Sequence, residues 1–287
     1  MAPLSETAHH PNVYAAVVSL KRAIARREVM EVELTKAKIT YEMVDAIDVR
    51  ETDESVLRAG CKDEGPWGSF ALQNMACTLS HELIWQKFLK TDAEFAFVFE
   101  DDVFIAPDLG EWLADTSWWP KDADMVKFER WRSDGLYVIL GSDLQHHNGR
   151  DIQRMYSRQS GSAGYMLTRD AAEKFLARRP YDVSIDQLLF NAAASPAARK
   201  MKIYQVQPAM IEQGNDPIPA QALGAHRHRP TGMALVRQKL WRGINEIRFP
   251  LPVLARVLTG RARPTQIRFE HAALSGTMQS NHEKPKK

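Results

Sequence analysis

The chain has 287 residues, 44% hydrophobic and 26% charged, a balance that suits a globular protein with one sizeable core. It holds no apolar run of about 18 residues, so no membrane-crossing helix is expected. Its two cysteines, Cys61 and Cys77, are too few for a disulfide framework or, alone, for a zinc site, which makes a reducing cytoplasm the simplest compartment.

Residues 1–11 lack the basic and apolar regions of a signal peptide and read as a disordered leader. Residues 12–20, rich in Val and Ala, predict a first buried strand. Residues 21–38 place Ile24, Val29, Val32 and Leu34 at helical spacing among Arg, Glu and Met. Residues 39–46 alternate as a second strand, so the chain opens β-α-β. A Gly/Pro loop spans 60–68, and a helix follows over 69–89 through Met75, Leu79, Leu83 and Phe88. Pro107 and Asp108 then start a helix through Trp112.

Beyond Pro120 the pattern predicts short strands at 124–128, 136–140, 152–156, 161–168 and 202–206. Helices are expected over 169–179, ended by Pro180, and over 185–194. Residues 211–230, rich in Gly, Pro, Gln and His, read as a loop. Together these elements predict one α/β domain over residues 12–225, with a mixed central sheet and helices on both faces.

Between the first and second halves lies the run Phe95-Ala-Phe-Val-Phe99, a buried strand that ends in Glu100, Asp101 and Asp102. Desolvating unpaired carboxylates costs several kcal/mol, so acids at the end of such a strand are aimed at something positive. In open α/β sheets ligands bind at the carboxyl ends of strands. A divalent cation held by carboxylate oxygens is the expected occupant.

Several segments stand in a set order around this run: Leu20-Lys-Arg22, Arg26-Arg27, Tyr41-Glu-Met-Val-Asp-Ala46, Cys77-Thr-Leu-Ser-His81, Glu100-Asp-Asp102, Gly164-Tyr-Met-Leu-Thr-Arg-Asp-Ala171, Asp186 and Gln207-Pro208. Over residues 13–213 this order resembles glycosyltransferase family 25, the bacterial lipopolysaccharide β-galactosyltransferases and their collagen-modifying relatives. The resemblance implies a GT-A-like nucleotide-sugar fold, a UDP-hexose donor (usually UDP-galactose), Mn²⁺ or Mg²⁺, inversion at the anomeric carbon, and a glycan or lipid-linked saccharide acceptor.

On that reading Asp102 ligates the metal and Glu100 contacts the metal or the ribose, since alternate side chains of a strand share a face. Asp101 faces the donor only where the strand has turned. Arg22 and Arg26 would contact uracil or phosphate, although both also suit a solvated helix face. Ser80 and His81 would serve the donor, or else be satisfied structural groups in mid-helix. Lys127 would neutralise the diphosphate or reach to the surface. An inverting transfer needs a base on the acceptor hydroxyl; Asp186 is the first choice and Asp182 the second, with helix capping as the rival role for each. The family tends to read Gly-Glu-x-Gly-Cys where this chain has Gln73-Asn74-Met75-Ala76-Cys77. That departure motivates an alternative, a sugar-nucleotide-binding scaffold without turnover. A metal-dependent phosphoester hydrolase, for which His226 and His228 would supply further ligands, is the other.

The net charge of +2 conceals an asymmetry: from residue 226 onward thirteen Lys and Arg face three acids, while the preceding part carries eight more acids than bases. Residues 226–274 read as a basic amphipathic helical extension, with Leu235, Val236, Leu240, Trp241 and Ile244 in helical register. Such a segment suits an anionic membrane surface, or else packs on the catalytic domain. No nucleic-acid module accompanies the charge. A cytoplasmic enzyme peripheral on the inner membrane is therefore expected, with residues 275–287 a disordered tail.

Overall fold

Strand β1 (Val13–Ser19) is apolar on both faces because it lies inside a sheet that helices cover on both sides. The computed structural model describes residues 12–65, 67–131, 137–214, 232–248 and 250–269. The leader and the tail lie outside these residues. After β1, helix α1 (Ile24–Lys36) buries Met30 and Leu34 and returns the chain to β2 (Glu42–Asp45), parallel to β1. The expected loop at 60–68 instead holds the end of α2 (Glu54–Gly60) and a small hairpin, β3 (Glu64–Gly65) with β4 (Gly68–Ser69). Helix α3 (Leu72–Phe88) leads into β5 (Phe95–Glu100), parallel to β1 on its other side.

The period of two in β5 divides its side chains between two cores. Phe95, Phe97 and Phe99 face α1 and α4 (Leu109–Ala114), whereas the small Ala96 and Val98 leave room for Trp85 and Phe88 of α3. Between β5 and α4 lies β6 (Val103–Ile105). The chain then forms β7 (Met125–Lys127), β8 (Glu129–Arg130), β9 (Tyr137–Gly141), β10 (Gln145–His147), β11 (Arg150–Arg154) and β12 (Gly164–Thr168). Helices α5 (Arg169–Leu176), α6 (Ile185–Phe190) and α7 (Pro196–Lys200) precede β13 (Ile203–Gln207) and β14 (Ile211–Gln213).

Eight strands make the main sheet in the order β10-β11-β13-β7-β12-β5-β1-β2. Strand β12 runs antiparallel to both of its neighbours, β5 and β7, so the sheet is mixed, as expected. This inversion matters for the site. The carboxyl ends of β1, β2, β5 and β7 meet the amino end of β12 at one edge, with Ser19 opposite Asp45, Gly164 opposite Phe99 and Tyr165 opposite Lys127. A second sheet, β6-β14-β8, stands over that edge and carries Gln213 above it.

Helices α8 (Gly232–Arg248) and α9 (Pro250–Leu258) follow, and then β15 (Ala262–Gln266) pairs antiparallel with β9. The C-terminal segment expected to be helical therefore ends in a strand laid back on the body.

Candidate active site

The acids occupy the edge where the strands converge. Strand β5 ends at Glu100, and the chain bends at Asp101 and Asp102 before β6 begins. The bend gives the three carboxylates different partners. Asp101 accepts from Ser19 Oγ at 2.6 Å and from Arg26 at 2.9 Å. Glu100 accepts from Ser162 Oγ at 2.5 Å through Oε1 and from Gln213 Nε2 at 3.2 Å through Oε2. Asp102 keeps its backbone carbonyl on the Gly214 N–H at 2.5 Å, while its side-chain Oδ1 is buried without a hydrogen-bond partner.

Those differences set the charges. Burial pushes the Glu100 carboxyl up, but His81, Ser162 and Lys127 together outweigh it and hold Glu100 below the usual range. Burial, reinforced by Glu100, Asp101 and Glu129 and opposed by Arg26, pushes Asp102 up to about 7. A carboxylate that is buried, orphaned and surrounded by like charge is the one a cation would relieve most.

Behind Glu100 stands a hydrogen-bonded chain of buried side chains. The Trp85 indole N–H, a donor only, reaches the Tyr165 hydroxyl at 3.1 Å, and that hydroxyl lies 2.9 Å from His81 Nδ1. Burial pushes the Tyr165 phenol well up, so it keeps its proton, and with the Trp85 N–H on its oxygen the hydroxyl is placed to donate to Nδ1. In that arrangement the imidazole N–H lies at Nε2, which is buried without a hydrogen-bond partner and faces Glu100 Oε1 at 3.5 Å, beyond a good hydrogen bond. Cys77 adds its sulfur here: the Cys77, His81 and Glu100 ligand atoms all lie within 4.8 Å of one another. Burial, with Glu100, Asp186, Asp102 and Asp101 nearby, pushes the Cys77 thiol well above its ordinary value.

Lys127 is fully buried one strand away, donating to the carbonyls of Ser160 at 2.8 Å and Gly161 at 2.5 Å and pairing with Glu129 at 3.0 Å. Glu129 in turn accepts the Ala163 N–H at 3.0 Å. Lys127 and Glu129 thus clamp the turn that presents Ser162 to Glu100. Gly161 sits in this clamp at φ +87°, and a Cβ there would lie 2.1 Å from Glu129 Oε1.

The remaining expected residues divide between this edge and other places. Asp186, in the first turn of α6, accepts from Ser184 Oγ at 2.5 Å and from Gln187 Nε2 at 2.9 Å, and its charge acts on Lys127 and on Cys77. Asp182 pairs instead with Lys62 at 3.6 Å and Arg178 at 3.7 Å. Arg22 pairs with Asp48, which ties the end of β1 to the loop after β2. Ser80 donates to the Ala76 carbonyl at 2.6 Å and accepts the Ile47 N–H at 2.8 Å, so its buried hydroxyl is engaged within the fold. Gln207 and Pro208 line a separate cleft of about 570 Å³ with Asp151, Arg263 and Arg268. Ser19, Ser162, Tyr165 and Gln213 join the site although the sequence reading does not assign them a role; Ser19 has a signal as the polar end of an apolar strand, and Tyr165 as part of the Gly164–Ala171 segment.

The profile of glycosyltransferase family 25 (LPS biosynthesis protein) matches residues 12–189, from β1 through most of α6. Lipooligosaccharide biosynthesis protein lic2B of Haemophilus influenzae is 26% identical over 207 residues, covering 69% of this chain and 74% of that protein. Lacto-N-neotetraose biosynthesis glycosyltransferase LgtE of Neisseria meningitidis serogroup B is 25% identical over 205 residues, covering 69% and 72%. Among solved structures, a glycosyltransferase involved in the glycosylation of the major capsid of PBCV-1 aligns with 83% of this chain and all of its own, with a TM-score of 0.38 and 11% identity. With its profile match running through α3, β5 and the acid bend, the chain belongs to glycosyltransferase family 25.

Proposed function

We propose that this family 25 glycosyltransferase transfers a hexose, galactose in the first instance, from a UDP-sugar to a lipopolysaccharide or other surface-glycan acceptor with inversion. The observation that carries the reading is the orphaned, cation-seeking Asp102 beside a firmly held Glu100 at the carboxyl end of β5, in a chain of this family. Asp102 and Glu100 would hold Mn²⁺ or Mg²⁺, whose chemistry when bound is to neutralise the departing diphosphate as a Lewis acid.

The chain's own residues do the rest. Ser162 and Gln213 fix the Glu100 carboxylate, with the His81 imidazole behind it, so it needs no reorganisation when the donor arrives. Arg26, tied to Asp101, places a cation at the mouth of the acid bend where phosphate oxygens would lie. Asp186 serves as the base: Ser184 and Gln187 orient its carboxylate, which takes the acceptor proton as the hydroxyl attacks. Lys127 holds the Ser162 turn in place, and its three polar partners lie within the protein.

A panel of UDP-sugars with a galactosyl-acceptor glycan, assayed with and without Mn²⁺, tests this reading. Metal-dependent UDP release lost in Asp102→Asn and slowed about 100-fold or more in Asp186→Asn is expected. Sugar-nucleotide binding without turnover would favour the scaffold alternative, and turnover confined to phosphate esters would sink the proposal.

A further inference from the structure

Helices α8 and α9 turn large apolar side chains toward solvent. Met233, Val236, Leu240 and Ile244 follow one face of α8, and Leu251, Leu254 and Leu258 one face of α9; each is 48–82% exposed. The other side of the pair is anchored. Trp241 meets Trp67 edge-on at 5.7 Å, Arg256 stacks over Tyr156 at 4.6 Å, and β15 zips onto β9. The apolar strip is thus fixed on the body with its face outward. Soluble surfaces seldom leave so many large apolar side chains uncovered on neighbouring helices.

Charge selects the occupant. Residues 232–269 contain eight Lys and Arg and one acid. A second copy of the same face would set this surplus against itself, and residues 270–287, with three Lys against two Glu, are no better matched. An anionic lipid surface complements both the exposed apolar side chains and the net positive charge of this segment.

We propose that α8 and α9 lie in the interface of an anionic bilayer, with the seven outward residues below the headgroups. The anchoring makes this more than attachment. Trp67, against Trp241, donates its indole N–H to Gln187 Oε1 at 2.7 Å, and Gln187 donates to Asp186. The lipid-facing helix is therefore joined through two side chains to the acid assigned to the acceptor. A bilayer under α8 brings a lipid-linked saccharide to that side of the site, a consequence that rests on the functional reading above.

The test is flotation of the full chain with vesicles of phosphatidylglycerol and phosphatidylcholine, and with phosphatidylcholine alone. Wild type should float with the anionic vesicles, and Leu240→Glu/Leu254→Glu should partition about tenfold less or lower while keeping its thermal unfolding midpoint. Met233→Glu/Leu258→Glu, at the outer ends of the strip, should do the same. Wild type that stays unbound, or variants that float equally well, would overturn the proposal. So would sedimentation velocity in which wild type self-associates and the variants do not. UDP release with a soluble acceptor, measured on the same preparations, should be unchanged in the variants. If it is absent from a wild type that floats, the functional reading fails while the docking stands.

Discussion

His81 Nε2 lies 3.5 Å from Glu100 Oε1, while its other ring nitrogen lies 2.9 Å from the Tyr165 hydroxyl. This one relationship links a helix inside the α3 core to the acid at the end of β5. Its consequence is that the imidazole facing Glu100 is positioned by the Tyr165 phenol behind it.

Tyr165→Phe removes the proton given to Nδ1 and orphans the Trp85 N–H. The expected result is a change in the His81 ring ¹⁵N chemical shifts as Nδ1 loses its partner. Stability should fall by about 1–3 kcal/mol for the orphaned buried groups. The Mn²⁺ concentration needed for half-maximal activity should rise about tenfold or more. Unchanged ring shifts would show that Tyr165 does not direct the imidazole.

Asp102 makes stability pH-dependent. Folded, its carboxyl keeps a proton up to about pH 7, whereas the ordinary value is 3.8, so the folded state binds the additional proton between them. Metal-free wild type should therefore lose stability as pH rises through that window. Asp102→Asn should lack this component of the pH dependence and be more stable than wild type at the alkaline end, by on the order of a few kcal/mol. Urea unfolding across the range checks this, and added Mn²⁺ should return the loss to wild type only.

Lys127 and Glu129 are both fully buried and paired at 3.0 Å. Lys127→Met leaves a buried carboxylate without its cation and should cost about 3–5 kcal/mol. Lys127→Met/Glu129→Gln should recover much of that, because the amide can still accept from the Ala163 N–H and carries no charge. Chemical denaturation of the single and double variants measures the coupling. Simple additivity would refute it.

Gly161→Ala meets two obstacles at once. The φ of +87° costs an L side chain about 1–2 kcal/mol, and its Cβ would overlap Glu129 Oε1. The variant should be destabilised beyond the conformational cost alone. It should also weaken metal-dependent activity, because the displaced turn carries Ser162 away from Glu100.

How much of this is legible in sequence depends on range. The apolar run of β5 and its acids are readable because a buried strand and its charged end are contiguous. The alternation of β5 also announces two cores. The partners of those acids are not readable: Ser162 and Gln213 lie 62 and 113 residues from Glu100 and come to it only through the antiparallel β12 and the small sheet. Strands of two or three residues, such as β6, β8 and β14, are too short to show a period. Ser80 and Arg22 match the family's order, yet a linear pattern does not tell a hydroxyl bonded to Ala76 and Ile47, or a guanidinium paired with Asp48, from one aimed at a ligand. The spacing of α8 is likewise visible, but the side that meets Trp67 is decided by the fold.

The pairing of β15 with β9 changes what it means to shorten this protein. Cutting the chain before Ala262 would strip the partner from Tyr137–Gly141 and leave a row of open backbone donors and acceptors along that strand. A shortened protein that aggregates would then report an exposed strand edge, and its insolubility would say nothing about the loss of a membrane anchor.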